Sequence, residues 1–176
     1  MIVKSKEKFH LVTERLVIYI VVLCFFWVGC SKKNETHFSK KALHDILMTK
    51  KGDSIEVNEI FQLHNTKKVV INIWASWCKD CLNSIPKNNV LKEKYSGFRY
   101  VNISIDKNYE EWGKALKKYD VLGEHYYLPS GWDGDFGEFL QLDWIPRYLV
   151  VNEDKTIDVF DCTQLKENVL DNTLKK

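Results

Sequence analysis

Two residues, Lys79 and Asp80, separate Cys78 from Cys81, and Trp77 precedes the pair. That spacing suits three chemistries. The two thiols can close a disulfide and exchange it with another molecule's. They can supply half of a tetrahedral zinc site. They can also be inert, buried small residues. Exchange requires a thiolate. A cysteine at a helix start meets unpaired N–H groups and about half a positive charge. In a pair of this spacing that can bring the first pKa from about 8.5 to 7 or lower. Lys79 adds a nearby cation. On this reading Cys78 is the exposed attacking sulfur. Cys81, one turn further into the helix and more buried, is the resolving one. Zinc would need two more ligands, and the candidates His44, His64, His125 and Cys162 occur singly.

Such a pair needs a rigid base. Residues 69–74, VVINIW, are apolar and rich in β-branched side chains, which predicts a buried central strand. A helix is predicted to open at Cys78, with Pro86 expected to kink it or end its first part. Residues 98–106 alternate, placing Val101, Ile103 and Ile105 on one strand face. Trp112, Ala115, Leu116 and Tyr119 recur at helical spacing and read as core. An extended piece follows at 125–129, then a loop with a helix around 136–140. A strand at 145–151 and its hairpin partner at 156–160 come next, and a C-terminal helix closes the chain. Upstream, 42–48 reads as a short helix and 52–63 as a strand or hairpin. Strands alternating with helices give an α/β layer fold.

The first residues are of another kind. Lys4, Lys6, Lys8 and Arg15 precede an uncharged apolar run, Leu16 to Val28, and Gly29 and Cys30 follow. The run is shorter than the roughly 18 residues of a spanning helix and falls in the range of a secretory signal's apolar segment, about 7 to 15. The arrangement resembles a bacterial lipoprotein signal cut before a lipid-bearing cysteine, here Cys30. It departs from that pattern in carrying Trp27 where leucine is preferred. Ordinary secretion and an uncleaved signal anchor are the alternatives. The predicted organisation is a signal at 1–29, a tether and short N-terminal segment at 30–51, and one domain at 52–176. The net charge of +2 is that of the signal segment, so the remainder is formally neutral and shows no electrostatic footprint of a nucleic-acid binder. An envelope location permits disulfides, but Cys78, Cys81 and Cys162 make no disulfide framework.

Three stretches carry a family resemblance: VVINIWASWCKDC (69–81), Pro86 five residues after Cys81, and WIPRYLVV (144–151). Together they resemble the thioredoxin fold, and more narrowly the TlpA/ResA-like thiol-disulfide oxidoreductases of bacterial envelopes, over roughly residue 52 onward. The resemblance implies a central mixed β-sheet flanked by helices, with a βα insertion between the CxxC helix and the strand led by a cis-proline. It implies Cys78 and Cys81 as the redox pair, no other cofactor, and Trp77, Ile145 and the cis-proline Pro146 as substrate-binding residues. Asn72 stands where thioredoxins carry a buried aspartate, six residues before Cys78. Ser84 stands where many of the narrower branch carry glutamate, three after Cys81. Both expected proton-shuttling carboxylates are therefore absent.

The function expected is an envelope-tethered enzyme that reduces protein disulfides. Its implied partners are protein disulfide substrates, a membrane thiol electron donor and the membrane itself through the lipid. The alternatives are a non-catalytic binding module and a thiol peroxidase of the AhpC/TSA group. The PxxxTxxC site of that group is absent here, since Asn72 to Trp77 supply neither proline nor threonine at the required places.

Overall fold

A computed structural model of the chain describes residues 34–62 and 67–175. The expected signal segment, the lipidation candidate Cys30 and His64 lie outside the described residues. Among the described residues no helix is long and apolar enough to cross a membrane.

The elements are α1 (Lys40–Leu43), β1 (Ile46–Met48), β2 (Ser54–Glu56), α2 (Val57–Ile60), β3 (Val69–Trp74), α3 (Lys79–Lys94), β4 (Arg99–Ser104), α4 (Tyr109–Lys118), β5 (Glu124–Tyr127), α5 (Asp135–Phe139), β6 (Arg147–Val151), β7 (Ile157–Cys162) and α6 (Glu167–Leu174). The strands form one sheet in the order β2-β1-β5-β4-β3-β6-β7. β3, β4 and β5 run parallel, joined through helices. β6 lies antiparallel against β3, and β7 antiparallel against β6. This is the expected thioredoxin-like α/β fold, with β4, α4, β5 and α5 lying between α3 and β6.

Every residue of β3, β4 and β6 is buried, which explains the apolar run of β3, while β4 buries Arg99, Asn102 and Ser104 beside its apolar residues. Alternation along the strands divides the core between two layers. Ile71, Ile73, Val101, Ile103 and Leu149 face one side with Trp112, Ala115 and Phe136. Val70, Tyr100, Tyr148 and Val150 face the other with Leu91 and Leu170. Gly123, just before β5, has φ of +111°. A Cβ there would also lie 2.6 Å from the Tyr100 carbonyl oxygen, so both backbone angle and space demand glycine.

Three expectations at the level of elements are corrected. The compact unit begins at Asn34, well before residue 52. Phe38, Ala42 and Leu47 pack into the main core, and the Ile157 N–H donates to the Thr36 carbonyl. Residues 42–48 are not one helix. The helix ends at Leu43, and 46–48 form β1, hairpin-paired to β2 with Leu47 opposite Ile55. The hairpin therefore spans 46–56, and Val57–Ile60 turns helical behind a reciprocal Glu56–Glu59 cap. Of the two outcomes expected at Pro86, a kink or an end, the end does not occur, since α3 runs from Lys79 to Lys94. The lost backbone hydrogen bond is offset by burial on both sides of it, through Cys81, Asn88, Leu91 and Lys92.

Candidate active site

β3 delivers the chain to the site. After Trp74 the backbone turns, the Cys78 N–H donating to the Ala75 carbonyl at 3.1 Å. Cys78 then becomes the N-cap of α3. The Cys81 N–H donates to Cys78 Sγ at 3.1 Å, the place of a capping oxygen. The two sulfurs are joined as a disulfide, with Cα atoms 5.2 Å apart. Cys78 is 8% exposed and Cys81 2%. The expected order of access holds, but Cys78 is itself largely covered rather than openly exposed. Its cover is the loop before β6. The Ile145–Pro146 peptide is cis, and the Ile145 carbonyl oxygen lies 3.5 Å from Cys78 Sγ.

Two buried charged residues hold these loops, and neither stood out in the sequence. Asp106, two residues after β4, accepts from the Ser76 N–H at 2.9 Å, the Ser76 hydroxyl at 2.7 Å and the Ser104 hydroxyl at 2.7 Å. It fastens the segment between Trp74 and Cys78 to the neighbouring strand. Arg147 is 1% exposed. It donates to the Leu140 carbonyl at 3.2 Å and to Asp143 at 2.7 Å, and it pairs with Asp161 at 3.0 Å. The loop carrying Trp144, Ile145 and Pro146 is thereby pinned at its base. Asp106→Ala is expected to cost about 2 to 3 kcal/mol, the range for losing charge-assisted hydrogen bonds in a buried place. Urea unfolding measures the loss. Asp106→Asn should recover part of it, keeping one acceptor oxygen.

A pocket of 260 Å³ opens onto Cys78, walled by Trp77, Trp132 and Trp144 with Asp80, Asp143 and Ile145. A second, of 380 Å³, lies on the other side of Trp144 and Pro146 and is lined by Ser84, Asn88 and Tyr148. Trp77 and Ile145 therefore border the first pocket, which includes Cys78, and Pro146 borders the second.

Ser84 and Asn72 have polar roles in place of the missing carboxylates. The Ser84 hydroxyl donates to the Cys81 carbonyl at 2.7 Å and accepts from Asn88 Nδ2 at 3.2 Å. Asn88 also donates to the Tyr148 hydroxyl, whose pKa burial raises. Asn72 Nδ2 donates to Asn102 Oδ1, which also accepts from Lys92 Nζ, both at 3.2 Å. Lys92 donates to the Leu122 carbonyl as well, at 2.6 Å. α3 thus brings a buried amine to the face of β3 and β4 that carries Asn72.

Burial pushes the Lys92 pKa down to about 8, from 10.5. The folded protein then binds fewer protons than the unfolded chain between these values, so stability from this group rises with pH across that window. Below it the charged amine costs about 3 kcal/mol. Relative to Lys92→Met, the wild type should gain about 2 kcal/mol of unfolding free energy between about pH 7 and about pH 10. The comparison cancels tyrosines that titrate in both proteins. An unchanged difference would show that Lys92 is not desolvated.

Among the described residues no group of histidine, cysteine and carboxylate side chains could hold a metal ion. His44 is exposed and bonded to Glu56 at 2.8 Å. His125 lies in β5, its pKa pushed down to about 4 by burial and by Lys50. Cys162 ends β7, with β4, β3 and β6 between it and β5. Its Sγ is 3.0 Å from the Gln164 carbonyl oxygen.

A family model described as thioredoxin-like matches residues 65–157, over half of the chain. The chain belongs to the thioredoxin-like family. Among curated family members, the thiol:disulfide interchange protein DsbE of Haemophilus influenzae is 25% identical over 169 residues, 91% of this chain and 90% of that protein. The thiol-disulfide oxidoreductase ResA of Bacillus cereus is 26% identical over 113 residues, 60% of this chain. That match spans 63% of ResA's own length, under two thirds. Among solved family structures, a thiol-disulfide oxidoreductase from Bacteroides fragilis superposes with a TM-score of 0.61 at 21% identity, covering 77% of this chain and 98% of its own. At that identity the likeness speaks for the fold alone.

Proposed function

We propose that the chain is a thiol-disulfide oxidoreductase of the cell envelope, acting as a reductant of protein disulfides. The observation that carries this is the Cys78–Cys81 disulfide at the start of α3, under the Ile145 carbonyl and beside a pocket that reaches Cys78. In the reduced protein, the Cys78 thiolate attacks one sulfur of a substrate disulfide. A mixed disulfide forms and the first substrate sulfur leaves as thiolate. The Cys81 thiolate then attacks Cys78 Sγ, releasing the second substrate sulfur. Two electrons pass to the substrate and the protein is left as the disulfide. Trp77, Ile145 and Pro146 seat the substrate chain. A membrane thiol donor returns the electrons, and Cys30 carries the lipid that tethers the protein. ResA and DsbE bear names of this chemistry, which supports the reading.

The test is the reduction potential of the Cys78–Cys81 pair, measured without residues 1–30 in glutathione or dithiothreitol buffers. A value near about −270 mV fits a reductant that must be supplied with electrons, and one near about −120 mV an oxidant. Failure to form the disulfide at any poise would remove the exchange reading.

A further inference from the structure

We propose that the pocket beside Cys78 selects disulfide substrates that carry a lysine or arginine side chain next to the reacting half-cystine. This rests on the exchange reading and names the substrate class of the same site.

Trp77 is 52% exposed and Trp144 57%. Exposed indoles bordering a reactive sulfur mark a contact surface rather than a leftover of folding. Trp132 makes a third wall, and the volume of 260 Å³ suits one side chain better than a drug-sized ligand. Indole faces attract aliphatic groups and cations alike, cations through the ring quadrupole. The carboxylates decide between them. Asp80 lines the pocket from the first turn of α3, and Asp143 from the loop before the cis-proline. An apolar occupant would strip water from Asp80 and from the exposed side of Asp143, offering neither a counter-charge of its own. A cation meets three indoles and two carboxylates.

The positive charges nearby do not cancel this. Lys79 also lines the pocket, and Arg147 holds Asp143 from below while sharing its charge with Asp161. Counting all five groups, carboxylates exceed cations. Arg147 also orients the Asp143 side chain, which is still 59% exposed at the rim.

The experiment uses the full chain and short disulfide-linked peptides with arginine, leucine or glutamate beside the half-cystine. Exchange kcat/KM should favour arginine over leucine about tenfold, with glutamate poorest. Both Asp80→Asn and Trp132→Ala should bring the arginine-to-leucine ratio toward unity. A ratio is needed because Asp80→Asn also changes the charge beside Cys78, which affects every peptide equally. The same preference should appear in binding of alkylated peptides to the Cys78→Ser/Cys81→Ser double variant, followed by tryptophan fluorescence. If exchange fails for all peptides while the binding preference persists, the exchange reading falls and the pocket stands. If exchange proceeds but leucine or glutamate peptides match arginine, the pocket proposal is overturned. A ratio unmoved by both variants overturns it too.

Discussion

Cys78→Ser is expected to lower disulfide exchange by roughly a thousandfold or more, while Cys81→Ser stops the reaction halfway. The two cysteines are three residues apart but occupy unlike positions. Cys78 Sγ receives the Cys81 N–H at the helix start, so a negative charge on Cys78 is met by a backbone donor and by the positive end of α3. The pocket lined by the tryptophans reaches Cys78 and not Cys81. A serine hydroxyl at 78 stays protonated near neutral pH and is a poor nucleophile toward sulfur. With Cys81 replaced, the first attack proceeds but no second thiolate releases the substrate. The mixed disulfide should accumulate as a covalent adduct, visible by intact mass and reversed by dithiothreitol. Adducts on Cys81 in the Cys78→Ser protein would reverse the assigned roles.

Arg147→Ala is expected to be the most damaging substitution away from the sulfurs, at about 4 kcal/mol. Arg147 lies 1% exposed at the start of a strand buried along its length. Truncation leaves the Leu140 carbonyl without the guanidinium donor. It also takes the charge from beside Asp143 and Asp161 and opens a cavity the size of the lost stem. Removing one partner of a fully buried ion pair costs about 3 to 5 kcal/mol; the exposure of Asp143 and Asp161 puts the charge part below that range, and the cavity and the lost Leu140 hydrogen bond supply the rest. Arg147→Met keeps the volume, and both carboxylates have some access to water, so its loss should be roughly half. Chemical denaturation of the three proteins measures this ordering. Equal losses would assign the effect to charge alone.

The sequence carried the centre of the fold better than its start. β3, β4 and β6 are buried along their whole length; β3 and β6 are mostly apolar, β4 keeps Val101 and Ile103 on one face, and α4 shows its Trp112 and Ala115 stripe. β1 and β2 have three residues each and α1 and α2 four. No period can establish itself in so few positions, so 42–48 looked helical when the strand pairing of Leu47 decides otherwise. The cysteine pair was legible because its spacing is local, whereas the cis bond at Pro146 followed only from the family resemblance of WIPRYLVV. Asp106 and Arg147 were not legible, because their partners are scattered from 2 to 30 positions away in the chain. Faint signals existed. An arginine inside the apolar WIPRYLVV must find carboxylates, and Asp106 follows by two residues the strand that runs parallel beside β3.

The two outer strands bear on how the protein behaves in a crowd of its own copies. An open strand edge is a template for pairing with another molecule, and long flat apolar ones seed aggregates. One margin of this sheet is β2, only three residues long. The other, β7, has Asp158 and Asp161 within it and an irregular register against β6. Short length, charge and irregularity all disfavour edge-to-edge addition. High local concentration, as on a crowded surface, should therefore leave the molecules separate, each free to present its own disulfide.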